Sequence, residues 1–162
     1  MVLEPIATEQ AAVLQNLAEL YAHDFSEHVP LELGPSGRFD VSLGDQWWTD
    51  GHYPFFIRSD DRLCGFALVR RGARFAEAPD VMDVAEFFVV RGARRRKVGA
   101  TAARALFAAF PGKWEIRVRQ SNPAALAFWS SAVEDWLGHP VTATPVSVEG
   151  VDWNVLRVEL RT

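Results

Sequence analysis

The chain has 162 residues, 49% hydrophobic and 23% charged, with a formal net charge of −4. That is ordinary globular usage at a length suited to one domain, and it argues against a disordered chain. The acidic balance disfavours general nucleic-acid binding, the lone Cys64 excludes an internal disulfide and cysteine-based zinc or iron–sulfur sites, and no apolar run reaches the roughly 18 residues of a membrane span. The opening MVLEPIATEQ lacks the basic and then apolar character of a signal peptide, so a cytoplasmic protein with one domain over 1–162 is expected.

Val2 to Ile6, interrupted by Pro5, predicts an edge strand, because proline cannot donate to a central ladder. The stretch TEQAAVLQNLAELYAHDF predicts a helix with Thr8 as N-cap and one apolar stripe of Val13, Leu14, Leu17, Leu20 and Tyr21. Val29 to Asp45 is rich in Pro, Gly and Ser and reads as a long connection, with a short helix around Trp47 and Trp48. Tyr53 to Arg58 and Leu63 to Val69, joined through Ser59-Asp60-Asp61-Arg62, predict a hairpin. After a polar loop, Val81 to Val90 forms an apolar strand whose only charges are Asp83 and Glu86. Arg91 to Gly99 is a basic turn, and Ala100 to Phe110 a helix closed by Pro111-Gly112. Trp114 to Val118 alternates apolar and polar as a strand, Ser121-Asn122-Pro123 starts another helix, and Val141 to Val148 and Trp153 to Leu160 close the chain as strands. The result is a mixed α/β arrangement around one sheet.

The unit with chemical content is strand, basic turn, helix. Main-chain N–H groups at a helix start lack partners, the helix dipole adds positive potential, and Gly99 has no Cβ to hold a phosphate away. Arg94, Arg95, Arg96 and Lys97 concentrate positive charge there in an acidic chain, which suits a polyphosphate. A solvated basic loop fits the same residues, as does a DNA-contacting helix, although no second basic face supports the latter.

The strand, the Arg94-Arg95-Arg96-Lys97-Val98-Gly99 turn, the helix and strand after it, and Asn122-x-x-Ala125-Leu126-x-Phe128-Trp129 together resemble the GNAT superfamily of acetyl-CoA-dependent N-acyltransferases. The match runs from Val81 to about Trp136. The resemblance implies an α/β fold of the α+β type, with a mixed central sheet of about seven strands flanked by helices on both faces. It implies acetyl-CoA as co-substrate and no metal. The cofactor pyrophosphate would lie on the amides from Arg95 through Val98, Gly99 and Ala100, the pantetheine arm would pair with Phe88, Val89 and Val90, and Asn122 would meet the cofactor. Lys97 stands where the family often has glycine, and Trp129 where many members have an acidic tyrosine; an indole N–H does not titrate in water, so Trp129 would pack against thioester or acceptor.

Glu86 is the candidate base for an attacking amine, the alternative being an ion pair with Arg117 on the neighbouring strand. The Val89 N–H would face the oxyanion, and Ser130 and Ser131 are minor candidates for the acid. His23 to His28 form a polar cluster in which Asp24 and Glu27 would attract a cationic amine; Trp47, Trp48, Tyr53 and Phe55 either wall that pocket or belong to the core. The expected reaction is acetyl transfer to a primary amine in a ternary complex. The acceptor is a small molecule or peptide, nucleic acid and membrane are not partners, and a homodimer stays open. A non-catalytic acyl-CoA-binding or protein-interaction module on the same fold is the alternative.

Overall fold

The structure, a computed structural model, describes residues 2–76 and 78–161. Strand β1 (Val2–Pro5) pairs on one side only, antiparallel to β2 (His52–Ser59), which suits Pro5. Thr8 is not the cap of the first helix. Thr8–Gln10 form a 3-10 turn, and the Gln10 side-chain oxygen reaches back to accept the Ala7 N–H at 2.9 Å. Helix α1 (Ala11–Phe25) follows, with Leu14, Leu17, Ala18 and Ala22 buried. Val13 and Leu20 of the expected stripe are instead 40% and 53% exposed. The buried face of α1 is narrower than the leucine spacing suggests because alanines, not leucines, complete it.

The long connection is tied back onto α1. Glu19 accepts the Phe39 N–H at 2.8 Å, and the Gln15 carboxamide donates to the Val41 carbonyl. It ends in a 3-10 turn, Asp45–Trp48, that buries Trp47 and lets the Trp48 indole donate to the Ile6 carbonyl at 3.0 Å. Strands β2, β3 (Arg62–Arg71) and β4 (Met82–Val89) form an antiparallel meander.

The next pairing opens the site. Strand β5 (Gly112–Arg119) runs parallel to β4 and stays in register only at Met82–Trp114 and Asp83–Glu115. Just beyond, the β3–β4 ladder shifts so that Ala85 has no partner, a bulge that adds local twist as β4 leaves β5. The far edge of the sheet is β7 (Val151–Leu160), antiparallel to β5, and then β6 (Thr144–Val148). The seven strands lie in the order β1-β2-β3-β4-β5-β7-β6.

Helices α2 (Val98–Ala109) and α3 (Pro123–Leu137) pack on one face through Ala102, Leu106, Phe107, Trp129 and Val133. Helix α1 and the Trp47 turn cover the other face through Leu14, Leu17, Phe56, Phe66, Leu68 and Phe88. Fully burying each such side chain contributes about 1.5–3 kcal/mol. The polar side of β5 is not left to water. Asp83 and Glu115 are both fully buried. Asp83 accepts from Arg70 at 2.8 Å and Arg117 at 3.0 Å, and Glu115 accepts the Phe75 N–H at 2.9 Å and Arg157 at 3.2 Å.

Candidate functional site

The basic turn leaves β4 through a 3-10 turn, Arg91–Ala93, and enters α2 at Lys97. Thr101 is the first residue of α2 whose N–H closes a helical bond, onto the Lys97 carbonyl at 2.9 Å. Among the described residues, no N–H from Arg95 to Ala100 has a protein acceptor. Arg95 and Lys97 have φ of +60° and +63°. Left-handed residues in alternation turn successive N–H groups into one concavity, a shape that takes anions. The lysine in the glycine position is therefore strained, at about 1–2 kcal/mol. Gly99 is small for a reason the sequence did not suggest: a Cβ there would lie 3.2 Å from the Phe128 ring, so its absence lets α2 and α3 meet.

Beside this turn is the free edge of β4. The Val90 N–H donates to the Cys64 carbonyl at 2.8 Å, and the Phe88 carbonyl faces Gly65 of β3. By strand alternation, Phe87 and Val89 turn their main-chain groups toward the gap beside β5. Pairing with an added strand thus falls to Val89 and Phe87, while Phe88 and Val90 are committed to β3. The Val89 carbonyl is already taken, by Arg94 Nε at 2.8 Å.

Arg94 also ion-pairs with Asp24 at the end of α1, whose other oxygen accepts Arg91 Nε at 2.8 Å. Burial acts to raise the Asp24 carboxyl, but the hydrogen bonds and charge of Arg94 and Arg91 prevail and hold it below its ordinary value. Asp24 is not free to attract a cationic amine, contrary to the expectation from the sequence. The neighbouring His28 ring nitrogen Nδ1 lies 3.0 Å from the Ser121 carbonyl, so the end of α1 also touches the β5–α3 turn.

Glu86 does not pair with Arg117, which Asp83 holds. Its carboxylate accepts the Tyr21 hydroxyl at 2.5 Å, a contact across 65 positions that the sequence did not reveal. Burial raises the Glu86 carboxyl above its ordinary value, opposed by the Tyr21 hydrogen bond and the Arg117 charge. Burial, and then the Glu86 charge, push the Tyr21 phenol well up, so it remains a donor.

Two clefts meet here. The first, about 610 Å³, is lined by Phe88, Val89, Arg94, Arg95, Lys97, Gly99, Ala100, Asn122 and Trp129 of the expected set. Arg96, Val98 and Val90 are not on its wall; the Val98 side chain is buried under α2. The second, about 440 Å³, carries Glu86 and Trp47. Tyr53 and Phe55 pack instead on Phe110 in the core, and Trp48 does not line either cleft. Tyr21, Phe25, Phe87, Asn122, Ala125 and Trp129 line both clefts, so a molecule in one can reach a molecule in the other. Asn122 caps α3 by accepting the Ala125 N–H at 3.0 Å, which leaves its amide nitrogen for a ligand. Trp129 is buried edge-to-face against Phe87, with ring centroids 5.0 Å apart.

A protein-family model described as "Acetyltransferase (GNAT) family" matches residues 14–132. No curated protein matches the chain in sequence. Among solved structures, an acetyltransferase from Thermus thermophilus superposes with a TM-score of 0.72 at 16% identity, covering 98% of this chain and 96% of that one. The Salmonella typhimurium protein yncA, solved with acetyl-CoA, gives 0.64 at 13% identity over 100% and 95%. Spermidine N-acetyltransferase from Vibrio cholerae, in complex with CoA and spermine, gives 0.63 at 11% over 98% and 95%. At these identities the likeness is one of fold.

Proposed function

Since the chain belongs to the GNAT acetyltransferase family and is an acyltransferase, we propose that it moves the acetyl group of acetyl-CoA to a primary amine by direct attack in a ternary complex. The observation that carries this is the run of unbonded N–H groups from Arg95 to Ala100, of which Arg95, Lys97, Gly99 and Ala100 lie on the wall of the first cleft. A diphosphate beside cations is what such a cradle accommodates best. The free edge at Phe87 and Val89 suits the amides of a pantetheine arm, once Arg94 Nε yields the Val89 carbonyl. Solved relatives of the same fold that hold acetyl-CoA, or CoA with spermine, support the assignment.

Bound acetyl-CoA supplies an electrophilic thioester carbonyl. Glu86, on the second cleft, takes the ammonium proton of the acceptor, directly or through water, and its buried carboxyl has a raised affinity for it. The Val89 N–H faces the gap, where it would donate to the developing oxyanion; as the C–N bond forms, the thioester C–S bond breaks and CoA leaves as its thiolate. Tyr21 orients the Glu86 carboxylate, and Trp129 and Phe87 keep water from the junction of the clefts.

Acetyl-CoA at about 100 times its Kd should stabilise the native state by about 2.7 kcal/mol. In a chain of this size that is a rise in Tm of roughly 5–10 °C. An unmoved Tm at millimolar acetyl-CoA overturns the proposal.

A further inference from the structure

Taking the second cleft as the acceptor site, as acetyl transfer requires, we infer that the acceptor is a small amine that itself carries an anionic group, a carboxylate or a phosphate. Arg70, Arg74, Arg117 and Arg119 line that cleft, against the single carboxylate of Glu86. Behind them Asp83 is shared by Arg70 and Arg117, so one carboxylate serves two guanidinium groups. Among the described residues, neither Arg74 nor Arg119 pairs with a carboxylate. The cleft is thus strongly cationic in a chain whose net charge is −4.

The arrangement around Trp153 sharpens the point. Three guanidinium carbons crowd one indole: Arg119 at 4.9 Å from the ring centroid, Arg117 at 5.4 Å and Arg74 at 5.7 Å. A cationic acceptor seeks an aromatic face or a free carboxylate. Here the Trp153 face is occupied by the protein's own cations, Glu86 is the one carboxylate among the described residues of the cleft wall, and Asp24, on the wall of the first cleft, is spent on Arg91 and Arg94. Like charges held this close repel, and an anion placed among them relieves the repulsion while accepting charge-assisted hydrogen bonds. A polyamine would bring a second ammonium into the same field. The cleft, at about 440 Å³, is of small-molecule size.

The test is thiol release from acetyl-CoA by the purified protein with matched acceptors. Amino acids of increasing amine-to-carboxylate distance are each compared with the corresponding amide, phosphoethanolamine with ethanolamine, and spermidine and spermine form the polycationic arm. The anionic member of a pair is expected to exceed its uncharged match in kcat/KM by about tenfold or more, with polyamines slowest. The carboxylate and phosphate pairs tell which anion is preferred. Arg119→Gln and Arg74→Gln should narrow the gap without changing acetyl-CoA affinity, because neither residue lines the first cleft. A second readout needs no turnover: with CoA present, the anionic member raises Tm more than its match. Equal behaviour within pairs, or a preference for polyamines, overturns the inference and leaves acetyl transfer intact. Anion-selective stabilisation without turnover of any amine supports the anion site and sinks acetyl transfer instead.

Discussion

Replacing Glu86 with glutamine separates the proton-accepting role proposed for it from its structural one. Glutamine retains an oxygen for the Tyr21 hydroxyl, which sits 2.5 Å from the carboxylate, so the contact between α1 and β4 survives. Glu86 lines the second cleft and not the first, so acetyl-CoA affinity should stay within about twofold of the parent. A positioned general base contributes about 10²–10⁴ in rate, or about 3–5 kcal/mol. A free alkyl amine has a pKa of about 10.4, so at pH 7 roughly one molecule in a few thousand is neutral. The Gln variant depends on that fraction, and its rate should climb about tenfold per pH unit up to about pH 10. Parent activity should instead fall off on the acid side at a pH above the ordinary carboxylate value of 4.5, because burial raises the Glu86 pKa and the base must be ionised to act. A deficit of about 100-fold or more at neutral pH should therefore shrink to under about tenfold near pH 10. Steady-state rates across pH, with acetyl-CoA saturating, decide it. A variant within about twofold of the parent at pH 7, or a deficit that does not change with pH, refutes the base role.

Tyr21→Phe removes the hydroxyl that favours the ionised carboxylate, so the Glu86 pKa should rise further and the acid limb of the rate profile move to higher pH; an unmoved limb would show that Tyr21 only packs. Lys97→Gly relieves a φ of +63° and should stabilise the fold by about 1 kcal/mol, a few degrees in Tm, while weakening CoA binding through the lost cation. Loss of stability there would mean that the left-handed lysine is not strained. Asp83→Asn leaves Arg70 and Arg117 without their buried partner and should cost about 3–5 kcal/mol in denaturant unfolding; a cost under about 1 kcal/mol would show that water already compensates those guanidinium groups.

The parts of the molecule legible in the sequence are those whose cause is local. The β4–turn–α2 unit announces itself through an apolar run, a block of cations and an alanine-rich helix, and the Asn122-Pro123 helix start through its capping chemistry. At the start of α1, Thr8 reads as the cap, because a side chain reaching backward around a 3-10 turn, as that of Gln10 does, has no strong signature. Gly99 is legible as necessary, but its reason lies on Phe128, a helix away. What the sequence conceals is made by distant partners. Tyr21 looks like one more apolar-stripe residue until the fold brings it to Glu86, and Asp24 looks like bait for a cation until Arg91 and Arg94 close on it. The arginines on Trp153 come from β5 and the loop after β3, and no spacing within either segment predicts that they converge. The alternation of β5 is plain in the sequence, yet its polar side is buried against ion pairs because the Phe75 loop covers it.

Tyr21 and Asp24 stand about one turn apart on α1. The same rod therefore holds Arg91 and Arg94 through Asp24 at one end of its last turn and Glu86 through Tyr21 at the other. On the proposed function, a phosphate drawing Arg91 and Arg94 away from Asp24 would act on the same helix turn that rests the phenol on Glu86. Any factor by which one substrate then changed the affinity for the other would be returned in equal measure, because linkage is reciprocal.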